Sequence, residues 1–191
     1  MPRSKAASSV SFTVPGLDLD AAATVADMLQ DRLNALTDLS LTLKHIHWNV
    51  IGPHFIAVHT MLDPQVEAVR AMADVTAERI ATLGRSPVGT PGALVKARAG
   101  EDYSLGRADA ISHLGALDLV YTTVIAGHRQ AIEKLEDLDR VTQDLVIEQT
   151  EQLEQFQWFV RAHVESSNGV LTTEGARTER GAAAQAAQDN D

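Results

Sequence analysis

The chain contains no cysteine, so neither a disulfide nor a thiolate metal site is open to it. Aromatic residues make up only 4% of it, while alanine, leucine, glutamate and glutamine abound, a balance that favours helices over strands. No uninterrupted apolar run is long enough to cross a bilayer. The opening "MPRSKAASSV" lacks the apolar centre of a secretory signal, and the expectation is a cytoplasmic protein with no membrane partner. Basic residues are scarce: 16 Lys and Arg face 26 Asp and Glu, a formal net charge of −10 at pH 7. Such a body does not attract nucleic acid by default, and it does attract cations. A length of 191 residues suits one domain with a sizeable core.

What is present is helical periodicity. Residues 1–18 read as a flexible tail closed by the turn "VPGLD". Val25, Met28, Leu29, Leu33, Leu36, Leu39, Leu43 and Ile46 then recur at three- and four-residue steps, as on an amphipathic helix. "IGP" at 51–53 ends it. A second helix is expected over about 54–83, interrupted at Pro64. One reading restarts the helix there with Asp63 as N-cap; the favoured one is a single long helix kinked at the proline. Residues 84–106 make a long crossover with room for a short helix in "GALVKARAG". A third helix is expected over about 108–135 and a fourth over about 140–166. Residues 167–191, rich in Gly, Ala and polar groups, read as a flexible tail. No strand pattern is visible. The fold expected is all-α: a four-helix bundle over 19–166, with a short helix in its long middle crossover.

The segment "KHIHWNVIGPHFIAVHTMLDPQVEAVRAMADVTAERI" holds four of the seven histidines. His59 and Asp63 are four apart and share a helix face, as do Asp74 and Glu78. Eleven residues separate Asp63 from Asp74, close to three whole turns, so all four lie near one stripe. Two readings are open, a solvated helix face and a metal site. With His47, just before the helix break, the set suits a borderline-to-hard divalent ion such as Fe(II), Mn(II) or Zn(II). The two pairs lie roughly 16 Å apart along the helix at about 1.5 Å per residue, far beyond metal–ligand bonds of about 2 Å. One chain therefore cannot close a compact site. Two copies crossing about a two-fold axis near Ala68 and Val69 can, bringing His59 and Asp63 of one to Asp74 and Glu78 of the other. The Glu-x-x-His motif of di-iron sites inside a bundle occurs nowhere in the chain, which favours the shared site. His45 and His54 read as ordinary polar positions, and Trp48 and Trp158 as core or interface aromatics.

The pattern "HWNV-x-G-x-x-F-x-x-x-H-x-x-x-D", followed by Asp-x-x-x-Glu before the helix ends, closely resembles the Dps family, the mini-ferritins of starved bacteria, in an actinobacterial-like form. The resemblance spans the four-helix body, about residues 19–166, including "QFQWFVRAH". It implies a ferritin-like bundle assembled from two-fold dimers into a hollow dodecamer. It also implies a ferroxidase, an oxidoreductase that oxidises Fe(II) with hydrogen peroxide in preference to oxygen, stores the ferric mineral and protects against oxidative stress. The family's ligands fall on His47, His59 and Asp63 of one subunit and Asp74 and Glu78 of its two-fold mate, with room for two iron ions. Trp48 matches a tryptophan beside the centre that accepts oxidising equivalents. Asp139, Asp144 and Glu148 resemble the carboxylates lining the family's three-fold iron pores; the residue-level alternative is a helix cap and a solvated face. The competing reading is a nucleoid-associated protein that binds or condenses DNA, with iron binding secondary. The N-terminal tail offers it only Arg3 and Lys5, and the C-terminal tail sets Arg177 and Arg180 against Glu174, Glu179, Asp189 and Asp191, so the contact expected, through Arg3 and Lys5, is weak.

Overall fold

Asp18 starts the first helix. Its carboxylate accepts hydrogen bonds from the backbone N–H groups of Asp20 (2.8 Å) and Ala21 (3.2 Å), satisfying donors that a helix N-terminus leaves open. Helix α1 then runs Leu19–Asn49. The structure, a computed structural model, describes residues 12–98 and 101–188. The periodic residues predicted for α1 point inward, with Val25, Leu29, Leu33, Leu36, Leu39, Leu43 and Ile46 all buried.

Two residues follow as strand β1, Val50–Ile51. Gly52 then turns the chain at φ +93°, a conformation that a side chain resists. Helix α2, Phe55–Thr82, passes through Pro64 without a restart. Pro64 lacks an N–H and costs the interior of α2 a hydrogen bond. Burial of Leu62, Val66 and Val69 on either side offsets that loss. Because the N-cap position is His54, Asp63 is not spent on capping.

The crossover carries the short helix α3, Pro91–Ala97. Arg98 ties its end to α1 by bonding Asp38, and it bonds Asp102 within the crossover. Strand β2, Ala108–Asp109, pairs in parallel with β1, Val50 opposite Ala108. This pairing was not expected, since two residues are too few to show an alternation. It displaces the start of the third helix, α4, to Ala110–Leu135, capped by Asp109. By length and composition α4 could cross a membrane, but more than half of that stretch is buried against its neighbours. It also carries the buried polar groups His113, Asp118 and His128. Helix α5, Arg140–Val164, is capped by Asp139.

Helix α1 packs chiefly on α2, and α4 on α5. The result is an all-α four-helix bundle with two apolar clusters. One cluster centres on Leu36, Leu43, Leu62, Val69, Leu117, Tyr121 and Leu153. The other gathers Val25, Leu29, Ile80, Leu83, Leu135 and Val146.

The C-terminal segment departs from expectation. Residues 167–188 are not a loose tail. Leu171 bridges back to Glu165, and Thr173 donates to Asp118 Oδ2 at 3.0 Å. A further helix, α6, Glu179–Gln188, buries Ala182, Ala183 and Ala186 and packs on α4. Gly115 admits it: a Cβ there would stand 2.7 Å from the Ala182 carbonyl oxygen. Asp118 is buried, yet it is satisfied by Gln157 Nε2 (2.8 Å), Arg161 Nε (2.7 Å) and Thr173, as a carboxylate removed from water must be.

Candidate metal centre

The last turns of α1 project His45 and His47 to opposite sides, because two residues advance a helix by about 200°. His45 faces the crossover, where its Nε2 bonds the Leu105 carbonyl at 2.9 Å. Its role there is structural. His47 faces α2 and is 7% exposed. Across from it, one turn into α2, stands His59, and the two imidazoles stack with centroids 3.6 Å apart.

His47 Nδ1 lies 2.9 Å from the His59 carbonyl oxygen, and His59 Nδ1 lies 2.9 Å from that of His47. A carbonyl only accepts, so in the neutral rings both Nδ1 atoms carry the hydrogen. Both Nε2 lone pairs are thereby left for a metal. A metal-binding histidine is commonly oriented in this way by a partner on its other nitrogen.

Asp63 follows His59 by one turn. Its Oδ1 is 2.8 Å from Lys44 Nζ and 3.3 Å from His47 Nδ1, and its side chain remains 47% exposed. The Lys44 hydrogen bond, helped by the ammonium charge, holds the carboxyl below the usual aspartate range. Lys44 is a residue the sequence reading missed, although it stands three before His47 on the same helix face. Phe55, four before His59, was also overlooked: its ring tilts over the His59 imidazole at 4.9 Å.

Asp74 and Glu78 lie farther along α2, exposed, and neither makes an ion pair among the described residues. Among those residues no group of three or more His, Asp or Glu side chains is placed to hold a metal ion. The chain thus brings His47, His59 and Asp63 together and leaves Asp74 and Glu78 apart. Around the histidines the surface is apolar: Trp48 is 71% exposed and Ile56 64% exposed, and Phe55 and Ile51 are partly so. Patches of this kind mark contact surfaces. One detail of the expected two-fold crossing needs correction. Val69 is fully buried in its own bundle, because the helix turns about 100° per residue. The outward positions there are Glu67, Arg70 and Ala71.

Of the three expected pore carboxylates, Asp139 is engaged within the chain. It caps α5, accepts from Thr142, and bonds Arg79 Nη2 at 2.6 Å. Asp144 and Glu148 are exposed on α5 beside exposed Val141 and Ile147. Arg3 and Lys5 lie outside the described residues.

The ferritin-like domain family matches residues 26–169. The DNA protection during starvation protein of Mycolicibacterium smegmatis is 62% identical over 173 residues, which cover 91% of this chain and 94% of that protein. The chain belongs to the Dps family. A solved structure of Mycobacterium smegmatis Dps superposes with TM-score 0.87 at 61% identity, covering 88% of this chain and 96% of that one. The Dps protein DpsA14 from Streptomyces coelicolor gives 0.84 at 60% identity, with 87% and 99% covered. The fine tangled pili major subunit of Haemophilus ducreyi is 50% identical over 161 residues, 84% of this chain and 85% of that protein. As a Dps protein with a ferritin-like bundle, the chain carries its histidine cluster at the α1–α2 break and its paired carboxylates farther along α2.

Proposed function

We propose that this Dps protein is a ferroxidase and iron store working at sites shared between two-fold-related subunits. The observation that carries the reading is the reciprocal bonding of His47 and His59 through Nδ1, which leaves both Nε2 atoms free, with Asp63 Oδ1 3.3 Å from His47 Nδ1. Asp74 and Glu78, exposed and unpaired, are the complementary half, supplied by a second copy. Iron is the substrate. Imidazole nitrogen binds Fe(II) and carboxylate oxygen favours Fe(III). Two Fe(II) ions give one electron each to one hydrogen peroxide, which takes up two protons and leaves as two waters, so no hydroxyl radical is released. The ferric product passes to a mineral inside a hollow dodecamer. Asp144 and Glu148 line the iron entrance, where a ring of carboxylates concentrates cations. Asp139 serves there only as the cap that orients α5.

The protein works in the cytoplasm and protects cell constituents from peroxide and iron. Nucleoid association has few cationic groups to rest on. The chain is acidic, and Arg180 and Glu179 are engaged with Ser104. Stopped-flow oxidation of Fe(II) with peroxide and with oxygen, alongside a native mass, tests the proposal. The expected result is oxidation well above the protein-free rate, faster with peroxide, by a twelve-subunit particle. A protein-free rate would sink the enzyme reading.

A further inference from the structure

The chain has two tyrosines, and their hydroxyls have different partners. Tyr121 is fully buried and donates to Gln65 Oε1 at 2.6 Å. An amide oxygen accepts a hydrogen bond but does not take the proton at neutral pH. Tyr103 stands 3.0 Å from His113 Nδ1, and a second contact, to the His113 carbonyl, is longer at 3.5 Å. With His113 as its Nε2–H tautomer, Nδ1 accepts the phenol hydrogen through the shorter of the two contacts. We propose that Tyr103 and His113 form a redox pair in which the phenol gives one electron to a hydroxyl-radical-class oxidant while its proton passes to His113 Nδ1.

His113 is fully buried on α4. Burial pushes its pKa down, so the ring is neutral and holds a lone pair at neutral pH. The backbone at Asn49 and Gly106 and the charge of Asp109 favour the protonated ring and His45 opposes it, while the buried Nε2 has no hydrogen-bond partner among the described residues. Burial, with Glu179 nearby, pushes the Tyr103 phenol up out of reach of ordinary ionisation. Loss of an electron reverses this, because an oxidised phenol is a strong acid, and the waiting base is already in contact. The pair backs onto the turn of α1 that carries the metal histidine. Tyr103 lies edge-on to His45 at 5.8 Å, two residues before His47, and the His113 ring is influenced by the backbone at Asn49, two residues after it.

The use of such a pair rests on the ferroxidase reading. When a single Fe(II) meets hydrogen peroxide, one electron cleaves the O–O bond and yields Fe(III), hydroxide and hydroxyl radical. An electron from Tyr103 reduces that radical to a second hydroxide, leaving a neutral phenoxyl radical and a His113 imidazolium. A second Fe(II) then reduces the phenoxyl, which recovers its proton from His113. The balance remains two Fe(II) per peroxide even where only one iron is bound.

The test begins without metal, on the full-length assembled protein. Photogenerated tris(bipyridine)ruthenium(III) serves as the one-electron oxidant and electron paramagnetic resonance as the readout. A tyrosyl radical is expected in the native protein and in Tyr121→Phe, where Tyr103 is the remaining tyrosine, and is expected to be lost in Tyr103→Phe. His113→Phe should slow its formation and abolish the solvent deuterium isotope effect. A merely structural Tyr103–His113 bond predicts none of these changes. A signal retained in Tyr103→Phe, absent from Tyr121→Phe, or indifferent to His113→Phe overturns the pair. A second arm adds one Fe(II) per subunit and then peroxide, and spin-trapped hydroxyl adducts should rise in Tyr103→Phe. A metal-free radical with no iron oxidation by the native protein would remove the ferroxidase reading and leave the redox pair standing.

Discussion

Lys44 Nζ sits 2.8 Å from Asp63 Oδ1 and so occupies the carboxylate proposed as a ligand beside His47 and His59. The ammonium acts in two ways. It competes with a cation for Asp63, and it keeps the carboxyl ionised to lower pH than usual.

Lys44→Met keeps the aliphatic stem and removes the charge. Zn(II) affinity of the half-site should rise several-fold at neutral pH, as read by calorimetry. The folded-state pKa of Asp63 is depressed, so its contribution is present above the ordinary aspartate value and lost as pH falls through the lowered one. Without Lys44 the acid limb of metal binding should move to higher pH. Weaker binding at every pH would show that Lys44 orients Asp63 rather than competing for it.

The shared site predicts complementation. His59→Ala and Glu78→Ala assemblies should each oxidise iron poorly. Unfolded together and refolded, they form mixed dimers with one doubly defective site and one intact site, so roughly a quarter of all sites should be intact. Chains shown to mix by mass spectrometry but giving no activity would refute a site shared across the two-fold axis.

Gly115→Ala should loosen α6. The new methyl would meet the Ala182 carbonyl oxygen at 2.7 Å and the Ala186 Cβ at 2.8 Å. Overpacking of this kind costs about 1–3 kcal/mol. Amide exchange should accelerate over 179–188 while α1 and α2 stay protected. Unchanged exchange over that segment would mean that α6 does not rest on Gly115 in solution.

His128 is fully buried, bonds the Val124 carbonyl through Nδ1 at 3.0 Å, and has its pKa pushed down to about 4 from 6.5 by burial. The unfolded chain therefore binds a proton more readily than the folded one. Stability from this residue is complete above about pH 6.5 and declines as pH falls towards 4. The loss over that window is on the order of 3 kcal/mol per subunit. Thermal melts of the native protein and His128→Leu should therefore converge on acidification. Parallel curves would assign the acid sensitivity to other groups.

The path of the main chain through α1, α2, α4 and α5 was legible because an apolar residue every third or fourth position has one way to leave water. Val25 through Ile46 show it on α1, and all are buried except Met28, which is partly so. The separation of Asp63 from Asp74 along α2 was legible for a related reason: a fixed helical rise makes sequence spacing into distance. Helix α6 was not legible. Its buried face is made of Ala182, Ala183 and Ala186, too small to stand out from a mobile polar segment. What makes that face bind is a glycine some seventy residues earlier, found only when α4 and α6 lie side by side. The pairing of β1 with β2 has the same origin, two residues on each side and no pattern in either. The tautomers of His47 and His59 also required three dimensions. Sequence supplies two imidazoles, but which nitrogen keeps its hydrogen depends on where the opposite carbonyl lies, and packing of α1 against α2 across the Gly52 turn sets that position.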